Sequence, residues 1–442
     1  MGKVAVFGAA KSGVAAANVL AARGEAVIIT DAKPENELPL VSSLDPRVER
    51  VLGGHPPALL DSVRLIVLSP GIPREIPILR DAAARAIPII SEVELAFRSL
   101  RGTVVAITGS NGKSTTTALV GEILKVAGRD PVVAGNIGEA LVAHVDAVPR
   151  HYVVELSSFQ LETVESFRAN VAVLLNVTPD HLDRYASMEE YSAAKHRIFR
   201  NQTTTDFAVV NADDPRTARP ATAARVLAFS SRRRLDEGAF LEGESLVMRL
   251  GGEQRSIPRG ALRLPGTPNV ENALAAWLAA RALGVSELDV QIAFGSFEGL
   301  PHRMALVRDS GGVRWINDSK GTNVDASLKS LEGMEDRRTI LILGGKDKKG
   351  EFERLRPLVE VKAKAVLTIG AAAERIGQAL AGAAEIVPAE TMERAVLWAH
   401  EHAAAGDTVL LSPACASFDQ YENFEQRGCH FEQLVGALED RR

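Results

Sequence analysis

The sequence predicts an α/β protein of three domains, each a mainly parallel sheet with flanking helices. Three observations carry this. Short β-branched runs alternate with Ala/Leu-rich helical stretches almost throughout the 442 residues, which is the rhythm of βαβ units. The series restarts at "TVVAITGSNGKS" and again near "VRWINDSKGTN". Between the second and third series, "FEGLPHR" breaks the chain at Gly299 and Pro301 and reads as a hinge. The expected domains are residues 1–93, 94–299 and 300–442.

In the front domain, "VAVFG" precedes a helix at about 12–23, followed by the strand-like runs "AVIITD" and "LIVLSPG". The loop "VFGAAKSGVAA" places Gly8 and Gly13 at the outer positions of a dinucleotide fingerprint, with Ala10 at the middle one. The Cβ of Ala10 argues against the close pyrophosphate approach of a dinucleotide enzyme. A more loosely held nucleotide diphosphate and an ordinary βα turn both remain open. Asp31 ends the next strand, where a ribose-binding acid often sits, and Ser69, Pro70 and Gly71 end a later one. The front domain is therefore read as Rossmann-like.

The central domain opens with the apolar run Val104 to Ile107, then Gly109-Ser-Asn-Gly112, Lys113, Ser114 and Thr115. Backbone N–H groups at a glycine loop and a helix start converge on one point and suit phosphate. Lys113 has the reach for outer phosphates, and the Ser114 hydroxyl suits Mg²⁺. Only two residues separate the glycines, fewer than in the usual phosphate loop. A solvated turn is the plain alternative, but strand, loop and helix come in the order that motif requires. The domain is read as ATPase-like, holding ATP or GTP. Glu155 ends the strand of "VVELSSFQL" and can complete Mg²⁺ coordination. "LLNVTPDHLDRY" ends another strand with Asp180, His181 and Asp183, where His181 is either a hydrogen-bonding histidine or a metal ligand. Lys195 lies on the Ala-rich helix of "YSAAKHRIF"; as an ammonium it has no lone pair for a metal, so it matters there only if modified. The polar, alternating stretch from Ser230 to Gly260 reads as a small antiparallel excursion. The third domain repeats the βα rhythm through "TILILGGKDKKG", "AVLTIG" and "TVLLSPACAS" and is again read as Rossmann-like.

Composition narrows the function. Apolar residues make up 46% of the chain, enough for a core in each domain, and the formal charge of -5 gives no electrostatic case for nucleic acid. No apolar run approaches the length of a membrane-spanning helix, and the start lacks the sections of a signal peptide. Cys415 and Cys429 are read as unpaired thiols of a reducing compartment, the cytoplasm.

Taken in order, "TGSNGKST", "GNIG", "ELSSFQL", "TPDHLDRY", "GTPNVENALAA", "LPHR", "INDSKGTN", "GGKDKKGEF" and "LSPACASFDQYENFEQRG" resemble the ATP-dependent Mur ligases of peptidoglycan synthesis over nearly the whole chain. "NDSKGTN" and "SPACASFDQ" point to the branch that joins D-glutamate to UDP-N-acetylmuramoyl-L-alanine. The resemblance implies that Gly109, Asn111, Gly112, Lys113, Ser114 and Thr115 hold the ATP phosphates. It implies Ser114 and Glu155 at a first Mg²⁺, and His181 with a carbamylated Lys195 at a second. Ser12, Asp31 and Gly71 would line the uridine and diphosphate pocket, with Asn136 and His181 near the UDP-sugar. Asn269 and Asn272 would flank adenine. Arg303 and Asp318 would reach ATP, and Lys320 the γ-phosphate region. Thr322, Lys348, Ser417 and Phe424 would surround D-glutamate, with Lys346 as an alternative to Lys348. Catalysis would rest on Lys113, His181, Lys195 and Lys320, in a monomer with no membrane or nucleic-acid partner. Three other readings compete: a sister ligase of the same family that adds a different amino acid or acts on folate, an NAD-dependent oxidoreductase built on the front loop, disfavoured by Ala10, and a nucleotide switch without synthetic chemistry.

Overall fold

A computed structural model describes residues 2–145, 148–181, 184–264 and 266–439. The first sheet comprises β1 (Lys3–Phe7), β2 (Val27–Asp31), β3 (Glu49–Leu52), β4 (Val63–Leu68) and β5 (Ile89–Ser91). Its order is β3-β2-β1-β4-β5 and every pair is parallel. Helices α1 (Lys11–Ala22), α2 (Pro77–Ala84) and α3 (Glu92–Phe97) accompany it. Strand order reverses between β1 and β4, so the Gly8 loop and the Ser69-Pro70-Gly71 turn flank the crevice where such sheets bind ligands. The start of α1 presses against the end of β1: a Cβ on Gly13 would lie 1.8 Å from the Gly8 carbonyl oxygen. Glycine is needed there for space, as the fingerprint reading expects.

The second sheet contains β6 (Gly102–Thr108), β7 (Val132–Gly135), β8 (Arg150–Glu155), β9 (Val171–Leu174), β10 (Phe207–Asn211), β11 (Arg225–Ser230), β12 (Gly238–Glu242), β13 (Ser245–Leu250) and β14 (Glu253–Pro258). The order is β14-β13-β12-β11-β10-β9-β6-β8-β7. Pairing is parallel from β7 to β12 along that order and antiparallel across β12, β13 and β14, which is the excursion expected from the sequence. Helices α4 (Lys113–Val126), α5 (Ser158–Leu161), α6 (Met188–His196), α7 (Thr267–Ala282) and α8 (Glu287–Ser296) follow. Helix α7 is buried from Ala273 through Ala280, including Trp277, and packs on α4. Its alanines let the two helices approach closely, which carries Asn272 to the Gly109–Gly112 loop.

The third sheet has β15 (Ala305–Ser310), β16 (Val313–Asn317), β17 (Thr339–Gly344), β18 (Ala363–Ile369), β19 (Glu385–Glu390) and β20 (Thr408–Leu411), in the order β15-β16-β20-β17-β18-β19. Only the edge strand β15 runs antiparallel. Helices α9 (Val324–Glu332), α10 (Arg356–Lys362), α11 (Ala373–Leu380), α12 (Met392–His402) and α13 (Phe424–Gly436) cover it. Leu341 and Leu343 of β17 enter one apolar core, and Ile340 and Ile342 enter another. A strand apolar at every position is thus a strand covered on both faces.

The chain falls into two compact units, one of residues 1–177 and 189–297, the other of 178–188 and 298–442. Within the first unit, two glutamates of α3 tie the first sheet to the second. Glu94 accepts the backbone N–H groups of Glu165, Ser166 and Phe167 and the Ser166 hydroxyl, and pairs with Arg98 at 2.9 Å. Burial works to raise its pKa, but the hydrogen bonds from Ser166, Glu165 and Arg98 outweigh that and hold it below the usual value.

Glu92 behaves in the opposite way. It is fully buried and accepts from Gln160 Nε2 at 2.9 Å, while its Oε2 has no hydrogen-bond partner. Burial pushes its pKa up to about 7, against hydrogen bonds from Gln160 and the Val142 backbone. The native state therefore keeps this proton to about pH 7, whereas the unfolded chain releases it near 4.5. Stability contributed at low pH is lost as pH rises through that window, by up to roughly 3 kcal/mol. Glu92→Gln is expected to remove the slope. Its melting temperature relative to the parent should rise between pH 5 and pH 8, and a difference independent of pH would refute the assignment.

Candidate active site

The Gly109–Gly112 loop follows β6, whose neighbours are β8 and β9. The carboxyl ends of all three strands therefore meet at one place. Gly112 turns the loop into α4 with φ of +85°, and a Cβ there would sit 2.3 Å from Asn272 Oδ1. Glycine is thus required at this position for backbone angle and space together. Asn272 also accepts from the Thr116 hydroxyl at 3.2 Å and donates to Asn269 at 3.2 Å, so the two asparagines of α7 stand beside the loop.

Lys113 Nζ donates to the carbonyls of Gly109 and Ser110, both at 2.9 Å. Lys195, 1% exposed on α6, donates to the same Gly109 oxygen at 2.8 Å and lies 4.5 Å from the centre of the Tyr191 ring. The Tyr191 hydroxyl meets the Ser110 hydroxyl at 3.2 Å. A helix lysine that is ordinarily solvated is here directed onto the loop.

Glu155 ends β8, and its position is fixed from the "GNIG" turn. Asn136 Nδ2 donates to its Oε1 at 2.7 Å, and the Asn136 N–H donates to its carbonyl at 2.9 Å. Oε2 is buried without a hydrogen-bond partner, as is the Thr115 hydroxyl in the first turn of α4. A buried carboxylate oxygen left without a donor, near a hydroxyl-rich helix start, is the donor set a hard cation takes. The residues present therefore fit Mg²⁺. Ser114, 1% exposed, begins the same helix turn.

On the first sheet, Asp31 spends both oxygens on the backbone, accepting from Ala9 at 2.8 Å and Lys33 at 3.0 Å. Ser12 lies in the first turn of α1, and Gly71 is exposed after β4. All three stand at the carboxyl edge of that sheet. Lys11 donates to the Gly138 carbonyl at 2.7 Å, which links the front loop to the "GNIG" turn.

The second unit carries the remaining residues. Asp318 and Lys320 follow β16. Asp318 accepts from the hydroxyls of Ser330 at 2.7 Å and Ser412 at 2.8 Å. Burial pushes its carboxyl up, against the Ser330 hydroxyl, the charge of Arg303 and the Ser412 hydroxyl. Lys320 has its Nζ 4.8 Å from the Phe424 ring, and its N–H donates to the His302 carbonyl, one residue before Arg303. Thr322 lies two residues on, and Ser417 is buried in the loop after β20. Lys348 donates to Asp180 at 3.0 Å, and Asn323 to the other oxygen of Asp180 at 3.1 Å. A cavity beside them is lined by Val324, Lys349 and Arg354. Lys346 instead pairs through its backbone with Ala416. His181 has a left-handed backbone (φ +55°) and its N–H donates to Asp180. Asp183 lies outside the described residues. His181 belongs to the second unit and Lys195 to the first.

Two residues that hold this machinery were not singled out from the sequence. Asn176, after β9, donates to the Asn111 carbonyl and accepts the Asn111 N–H at 2.8 Å, while its own carbonyl takes the Ser110 N–H. The signal was available: a polar side chain directly after the apolar run "VAVLL". Arg427, 1% exposed, donates to the carbonyls of Ser319 and Cys415, and to the Ser319 hydroxyl at 3.0 Å. Burial lowers its pKa to about 10, so it stays a cation at neutral pH. It joins the loop of Lys320 to the loop of Ser417. An arginine within "FEQRG" gave no such signal, because its partners are backbone oxygens and the Ser319 hydroxyl, the latter residue lying more than a hundred positions away.

Three family models match in order: the Mur ligase MurD-like N-terminal domain over residues 2–91, the Mur ligase middle domain over 107–280, and the Mur ligase glutamate ligase domain over 302–415. Among curated relatives, a UDP-N-acetylmuramoylalanine--D-glutamate ligase of Geotalea uraniireducens is 46% identical, covering 99% of this chain and 98% of its own. One of the same name from Pelotomaculum thermopropionicum is 44% identical, with the same coverage. Among solved structures, a pseudomurein peptide ligase type C from Methanothermus fervidus matches with a TM-score of 0.64 at 18% identity, over 99% of this chain and 100% of that one. A UDP-N-acetylmuramate-alanine ligase from Thermotoga maritima matches with a TM-score of 0.63 at 20% identity, over 99% and 100%. At those identities the solved structures establish the three-domain fold.

Proposed function

The chain belongs to the Mur ligase family, and we propose that it joins D-glutamate to UDP-N-acetylmuramoyl-L-alanine, splitting ATP to ADP and phosphate. The observation that carries this reading is the 46% identity, over nearly the full length, to a UDP-N-acetylmuramoylalanine--D-glutamate ligase. The substrates and the free thiols Cys415 and Cys429 fit a cytoplasmic enzyme. Among the described residues no helix is long and apolar enough to cross a membrane.

The chemistry follows from the poor electrophilicity of a carboxylate. The alanyl carboxylate of the UDP-sugar attacks the γ-phosphorus of ATP, giving an acyl phosphate and ADP. The D-glutamate amine then attacks the acyl carbon, and phosphate leaves from a tetrahedral intermediate. Lys113, released from the Gly109 and Ser110 carbonyls, takes up the phosphate oxygens, and Lys320 and Arg303 are assigned to the charge that gathers on the transferring group. Ser114 and Glu155 would hold Mg²⁺, which would supply electrostatic compensation for the phosphates. Lys195 is assigned a carbamate, which converts a buried ammonium into an oxygen anion able to serve a second cation. Thr322, Lys348, Ser417 and Phe424 are assigned to D-glutamate, with Asn323 beside Lys348 on Asp180. Support comes from Asp180: a carboxylate already rests on Lys348 and Asn323, so this niche accepts an acid.

An amino-acid panel tests the reading. With ATP, Mg²⁺ and UDP-N-acetylmuramoyl-L-alanine, ADP release is expected with D-glutamate and weaker by roughly 10²-fold or more with L-glutamate, glycine or L-lysine. ADP release that ignores the amino acid would exclude it.

A further inference from the structure

Arg197 and Arg200 follow α6 on the stretch just beyond Lys195, and together with Arg74 they line a cavity of about 430 Å³ at the junction of the first two sheets. Its other walls include Ile89, Glu162 and Val164. The volume falls in the range of small-molecule sites.

The three guanidinium groups contact neutral carbonyl oxygens. Arg197 donates to the Val164 oxygen at 3.1 Å, Arg200 to the same oxygen at 3.4 Å, and Arg74 to the Glu162 oxygen at 3.3 Å. One carbonyl shared by two cations offers a dipole but no charge. Arg197 Nε is buried and has no hydrogen-bond partner. Glu162 is one acid of the cavity wall. The other acid of the cavity wall, Glu165, is taken by Arg98 at 2.8 Å. The cluster therefore carries more positive charge than its surroundings balance, with donors remaining.

We propose that this cavity binds a phosphate-bearing small anion, at a place separate from the phosphate loop. Planar guanidinium forks match phosphate oxygens in pairs. Three of them around an open cavity fit a phosphoryl group better than a lone carboxylate. Because Arg197 lies two residues beyond Lys195, occupancy would bear on the helix end that holds Lys195 against the loop. The site stands independently of the ligation reading.

The test uses the full chain with Mg²⁺, a non-hydrolysable ATP analogue and UDP at saturation, so that the other phosphate sites are filled. Pyrophosphate is titrated by calorimetry at constant ionic strength. One further binding event is expected, weakened about tenfold or more in Arg74→Ala/Arg200→Ala with ligase turnover unchanged in the absence of added anion. Arg197→Met should abolish it, and the two exposed substitutions keep the test valid if that variant fails to fold. A parallel titration with inorganic phosphate separates the sources: equal affinity identifies a lone phosphate as occupant, and tighter pyrophosphate a diphosphate-bearing metabolite. No binding up to about 1 mM overturns the proposal. So does binding unchanged in the variants with only their melting temperature lowered, which would leave the arginines as carbonyl caps.

Discussion

Lys113→Ala is expected to leave a folded protein with ATP-dependent phosphate release lowered by about 10²–10³-fold or more. The reason is local. Lys113 is the cation at the first position of α4, and its ammonium is held within the loop by two carbonyls. Alanine keeps the helix but removes the charge that the proposal assigns to the outer phosphates. Phosphate release measured with both substrates present, alongside a thermal melt, checks the result. Turnover within a few-fold of the parent would remove the phosphate-loop assignment, and with it the account of how the acid is activated.

Lys195→Ala should lose most activity for a different reason, and a different rescue separates the two. If the buried side chain acts as a carbamate, its function is that of an oxygen anion, and a small carboxylate such as acetate can occupy the space alanine leaves. Partial recovery with added acetate or propionate, and none with chloride at equal ionic strength, is the expected pattern. The lost activity is on the order of 10²-fold, as for removal of one preorganised charge. Full activity in Lys195→Ala ends the carbamate assignment. Loss without rescue returns Lys195 to the role the hydrogen bond to Gly109 describes, that of a brace for the loop.

Much of the fold was legible because parallel strands leave a strong trace. A strand such as "TILILG" has apolar residues on both faces, and only burial on both faces explains it. The antiparallel excursion was legible for the complementary reason, its alternation. The "TGSNGKST" stretch was legible as a strand, a glycine loop and a helix start, which is the arrangement found. Long-range fastening was not. Arg427 is charged and yet buried, and its partners are the backbone oxygens of Ser319 and Cys415. Carbonyls have no letter in a sequence, so a side chain that binds them leaves no pattern. Glu94 was missed on a related ground, since the backbone N–H groups it accepts are equally invisible in a sequence. The grouping of Thr178–Met188 with the second unit was equally hidden, because "TPDHLDRY" continues a βα series without a break in composition.

The Glu94 carboxylate, seated on three consecutive amides of another element, fastens the two leading sheets like a rivet. The span from the front glycine turn to the Gly109–Gly112 loop then becomes a fixed length. On the proposed reading, that fixed spacing would select the UDP-linked substrate by the length of the arm it carries between the two loops.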